Sequence, residues 1–115
     1  MKFTGFLFAL FLLIILSGCK HVVKYDCTGT TPTYTANVKP ILDATCSTTA
    51  GCHGSNGDAF DLTTYASAAD ASKKKNFMGA IQHKPFYQQM PKNAPILPDA
   101  QIHVLSCWVE NGSPE

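Results

Sequence analysis

Cysteine placement constrains this chain more than any other feature of its sequence. Of the five cysteines in 115 residues, two fall in the stretch CSTTAGCHG, residues 46–54, where Cys52 is followed directly by His53 in the one Cys-His pair of the chain. Thiol and imidazole side chains bind metals and prosthetic groups, and thiols in an oxidising compartment form disulfides. On a continuous α-helix, positions six apart point about 120° away from each other. Cys46 and Cys52 therefore serve one centre only if the five residues between them loop out. Ser-Thr-Thr-Ala-Gly has no bulky side chain and ends in Gly51, so a bulged loop is sterically reasonable. A stretched prosthetic-group tether, a disulfide and a metal clip are the chemistries open to this stretch.

The compartment follows from MKFTGFLFALFLLIILSGC, which has a Lys-bearing start, an apolar run over residues 6–16, and small residues before Cys19. That is the organisation of a secretory signal with a processing site, and the apolar run is short for a membrane span. Leu16-Ser17-Gly18-Cys19 resembles a bacterial lipobox. The resemblance implies a signal peptide over residues 1–18 and a diacylated Cys19, which would hold the protein on a bacterial membrane, facing the periplasm or the exterior.

Residues 19–115 suffice for one small domain and not two. They carry eight Lys, no Arg and eight acidic residues, a neutral balance that offers no basic face for nucleic acid. A domain of this size leans on a staple such as a disulfide, metal or cofactor. The four cysteines besides Cys19 are the candidates.

Residues 20–33, rich in Thr with Gly and Pro, show no sustained period and read as a tether, so that lipid and tether take residues 19–33 and the domain residues 34–115. Thr35 is a plausible N-cap for a helix carrying Val38, Ile41 and Leu42, with Pro40 tolerated near the first turn. Thr63 is placed to cap a helix through TYASAADASKKK, whose basic end suits a C-terminus. A short turn follows in NFMGAIQH. Pro85, Pro91, Pro95 and Pro98 break up residues 85–98. The last helix opens at Pro98-Asp99 and carries Ile102, Leu105, Trp108 and Val109 before Gly112. Strand signals are weak, so the expected fold is all-α, with one long loop in front of the final helix.

Two stretches in the right order then carry a more specific resemblance. YTANVKPILDATCSTTAGCHG, residues 34–54, resembles the start of a small bacterial cytochrome c domain, in which a V-x-P-I-L helix runs to the haem-binding cysteines. QQMPKNAPILPDAQIHVLSCWVENGSP, residues 88–114, resembles its finish, with a Met-Pro and a last helix ending in W-[IV]-x-x-G-x-P. The spacing departs from the family, since a c-type site ordinarily reads Cys-x-x-Cys-His. The resemblance implies a cytochrome c-like helical domain with haem c as cofactor. It assigns Cys46 and Cys52 as thioether donors, His53 as proximal iron ligand and Met90 as distal ligand. Met90 also has a physical argument of its own: it sits in a Pro-bounded loop 37 residues past His53, able to fold across the opposite haem face. His/Met ligation favours reduced iron and suits electron transfer.

Taking Cys46 and Cys52 for haem leaves Cys27 and Cys107 for a disulfide. The residues alone permit three pairings of four cysteines. Met78 sits in an apolar helical run and reads as a packing residue, whereas His83 is a weaker candidate for a distal ligand beside Met90. The function implied is a membrane-anchored monohaem carrier of single electrons, not an enzyme, working with a redox protein partner in the cell envelope. Lys84 and Lys92 flank the Met loop, where they would meet an acidic partner. The competing readings lack haem. One is a zinc or copper module on Cys46, Cys52 and His53. The other is a structural lipoprotein in which Cys46 and Cys52 form a bridge.

Overall fold

The computed structural model describes residues 24–48, 52–57 and 59–115. Cys19 and the signal segment lie outside the described residues, as do residues 49–51 of the insert. Among the described residues there is no strand, and the secondary structure is helical. No helix among them is long and apolar enough to cross a membrane.

The first helix begins with a π-helical turn, Tyr34–Val38, which passes directly into α1, Lys39–Thr45. The wide turn ends with the Lys39 amide on the Tyr34 carbonyl, immediately before Pro40, which has no N–H to extend a regular ladder. Its N-cap is Thr33 rather than the expected Thr35. Thr33 Oγ1 accepts from the Ala36 amide at 3.4 Å, and Asn37 Oδ1 accepts from the Thr33 amide at 3.0 Å. This reciprocal pair satisfies two backbone donors together, which is why the start moves back.

Helix α2, Tyr65–Ser72, is capped by Thr64 and not by the expected Thr63. Thr63 is drawn the other way, its amide and hydroxyl both donating to Asp61 at 2.8 and 2.6 Å. The basic run begins only at the C-cap, Lys73, so Lys74 and Lys75 lie beyond the helix. Helix α3 is Asn76–Ile81 and helix α4 is Asp99–Glu110.

Each helix contributes its apolar stripe to one core. Tyr34, Val38 and Leu42, spaced four apart, meet Ile102, Leu105 and Trp108 of α4, together with Ala68 and Ala71 of α2 and Phe77 and Ile81 of α3. Trp108 is fully buried, and its indole N–H donates to the Pro114 carbonyl at 2.8 Å. The same carbonyl accepts from the Tyr34 amide at 2.9 Å. Reaching that position requires the chain to reverse after α4. Gly112, at φ 84°, makes the reversal, with its amide on Val109 and the Ser113 amide on Trp108 in a Schellman cap. The Trp-to-Pro spacing at the end of the sequence thus ties the last helix to the first.

Residues 24–33, expected as tether, run along α4. The Tyr25 ring stacks on His103 at 5.2 Å between centroids, and its hydroxyl donates to Asp99 at 2.6 Å. His103 Nε2 donates to the Asp26 carbonyl at 3.0 Å, and Asn111 Nδ2 to the Thr30 carbonyl at 2.9 Å. Between these contacts, Cys27 and Cys107 form the disulfide. Asp99, His103, Cys107 and Asn111 are each four residues apart, so a single stripe of α4 holds the segment.

Candidate haem site

Cys46 is the C-cap of helix α1. The His53 amide donates to the Cys46 carbonyl at 2.9 Å, so the Cys52-His53 pair is brought back against the end of the helix. The Leu62 amide, bound to the His53 carbonyl at 2.8 Å, and the Ser47 hydroxyl, 3.2 Å from the same oxygen, fix the returning strand of chain. Cys46 is not in a disulfide. Burial pushes the Cys46 thiol up and the nearby Cys52 adds to this, against a smaller opposing effect of the Thr45 hydroxyl 3.4 Å away.

His53 is buried, and its ring is oriented from one side. Nδ1 lies 2.9 Å from the Phe60 carbonyl oxygen. A carbonyl only accepts, so Nδ1 carries the hydrogen and Nε2 is left with the lone pair that binds a metal. Metal-ligating histidines are commonly held in this way, which fixes both tautomer and ring direction. The Phe60 ring packs against the imidazole at 4.6 Å between centroids, and Lys74 Nζ lies over the Phe60 ring, 5.7 Å from its centroid. Nothing in the sequence marks Phe60 for this task, because its contribution is a main-chain oxygen.

Cys46, Cys52 and His53 open on a cavity of about 710 Å³ whose lining also includes Met90. The volume falls within the roughly 300–1,000 Å³ typical of small-molecule and cofactor sites. Its walls come from Leu42 of α1, Phe77 and Ile81 of α3, and Leu97 before α4. Met78 and His83, the other candidates for the distal side, are not among its lining residues. Met78 packs against the core instead, and His83 bonds to the main chain of Met90. Lys92 lines the cavity, whereas Lys84 is exposed on the loop before Met90.

Away from the cavity, His103 lies beside Cys27 and Cys107, with the possible ligand atoms within 4.8 Å of one another. Both sulfurs are consumed by the disulfide, so the thiolates a metal needs are missing there. No protein-family model, curated protein or solved structure matches the chain.

Proposed function

We propose that the protein is a monohaem c-type cytochrome, a cytochrome c-like helical carrier of single electrons held on a bacterial membrane through lipid on Cys19. The observation that carries this reading is the convergence of Cys46, Cys52, His53 and Met90 on one apolar cavity of cofactor size. The donor set fits haem c. The two thiols would hold the haem by adding S–H across its vinyl groups with no atom lost, and an imidazole with a thioether would be a ligand pair that favours reduced iron. When bound, haem supplies a one-electron couple, and the surrounding residues set its ligation and its access to water.

His53 would take the proximal position through Nε2, with the Phe60 carbonyl holding the ring. Met90 would supply the second iron ligand, and an iron held by both residues would serve as an electron carrier rather than a catalyst. Phe60 and Ile96 are exposed where they line the cavity, and Lys92 lines it too, which suits contact with a redox protein of the cell envelope.

Pigment, anchor and ligand are each open to test. Membranes from expressing cells should contain a Soret-absorbing protein whose pigment resists acid-acetone extraction, and Cys19→Ala should move it to the soluble fraction. Met90→Ala should lower the midpoint potential and remove the sulfur-to-iron band of the oxidised protein, while Met78→Ala leaves both nearly intact. A colourless protein would sink the reading in favour of a haem-free lipoprotein.

A further inference from the structure

The loop that carries Met90 is closed on itself by a small set of bonds. Helix α3 ends beside it, and the Ala80 carbonyl accepts two amides, those of His83 at 3.2 Å and Met90 at 3.1 Å. The reciprocal bond comes from the imidazole: His83 Nε2 lies 3.1 Å from the Met90 carbonyl oxygen. Because the carbonyl only accepts, Nε2–H is the donor. Both main-chain polar groups of Met90 are therefore held at this corner. His83 itself sits at φ 50°, in the left-handed region that His enters more readily than most residues. Between the two ends, residues 84–89 are exposed, with the Tyr87 ring seated over Gly79.

A thioether is a neutral ligand on a flexible side chain, and a competing small ligand displaces it whenever the loop opens. Resting on the haem reading above, we propose that His83 is a positioning residue for Met90: its ring clamps the Met90 main chain and so keeps the sulfur at the cavity. The ring acts from outside the cavity and binds no iron. The clamp lowers the fraction of molecules with an open loop. An exogenous ligand that needs the open loop binds more weakly by that fraction. Loss of one hydrogen bond of ordinary strength should raise the open fraction about five-fold.

The test uses the ferric holoprotein and imidazole as competitor. His83→Asn keeps a residue that tolerates the left-handed backbone but is too short to reach the carbonyl, while His83→Gln retains a donor with reach. His83→Leu is a second non-donor in case the Asn variant loses haem. The non-donor variants should bind imidazole about five-fold more tightly than wild type, with the Gln variant close to wild type. Circular dichroism should be the same in all.

Equal imidazole affinity in wild type and both non-donors would overturn the clamp while leaving the cytochrome reading intact. Removal of an axial ligand by His83→Asn, with Met90→Ala spectroscopically silent, would overturn it by making His83 the ligand. A wild-type protein with no Soret band fails at the earlier step, and the clamp falls together with the function on which it rests.

Discussion

At the scale of single residues, the candidate site depends on main-chain groups as well as on side chains. Phe60 orients His53 with a carbonyl, and Cys46 accepts the His53 amide with its own. Such contributions leave no trace in residue type, whereas the thiols, imidazole and thioether are legible at once. Tyr25 gives a residue-scale test that needs no cofactor. Burial, then the hydrogen bond to Asp99 and its charge, push its phenol from 10.0 up to about 12. A raised phenol means that folding favours the protonated form. The contribution to stability is complete below about pH 10 and is lost as pH rises through about 12. Ultraviolet titration should find one tyrosine ionising near 12, and Tyr25→Phe should flatten the fall in stability between those values. A Tyr25 phenol that titrates at its ordinary value would show that the Asp99 contact does not hold in solution.

At the scale of elements, α4 has Pro98 before its start and Gly112 after its end, and both signals are read from the sequence without ambiguity. Gly112 has nothing within 4 Å of a built Cβ, so its requirement is conformational alone. Gly112→Ala should therefore cost about 1 kcal/mol in denaturant unfolding, the penalty for a Cβ in the left-handed region. Gly79 in α3 is the opposite case. A Cβ there would stand 2.7 Å from the Tyr87 ring, so Gly79→Ala must push the ring and its loop away. The expected outcome is retained helix by circular dichroism with a weakened sulfur-to-iron band. A variant with an unchanged band would show that Tyr87 moves independently of Met90. The wrong caps at Thr35 and Thr63 have one physical origin. Threonine is permissive for capping, and a reciprocal partner decides among neighbours: Asn37 selects Thr33, while Asp61 takes Thr63 out of competition.

For the whole molecule, the segment over residues 24–33 acts as a strap across α4, with the Cys27–Cys107 disulfide spanning 80 residues of chain. A cross-link over so long a loop restricts the unfolded chain strongly. Replacing both cysteines with Ala should lower stability by about 2–4 kcal/mol in urea. The visible spectrum of the folded holoprotein should be unaltered, because the disulfide bonds the strap to α4 and neither of its cysteines lines the cavity. Loss of pigment in the double variant would instead link the strap to haem retention.

The sequence by itself determined the helical class, the boundaries of the last helix, and the chemical identity of the groups that could serve a haem. These are local properties, expressed in hydrophobic period, capping residues and donor atoms. It also contained a stripe of Asp99, His103, Cys107 and Asn111 at four-residue spacing, of which Cys107 alone is marked in the sequence as a contact to the tether, through its disulfide with Cys27. Tertiary structure decided which of three disulfide pairings forms, and it placed Met90 at the cavity while turning His83 to the main chain behind it. Those choices depend on distances between residues far apart in the chain. They are settled by how the helices pack around Trp108 and Leu42 and by the main-chain bonds at Ala80 and Phe60, for which no residue type is a marker.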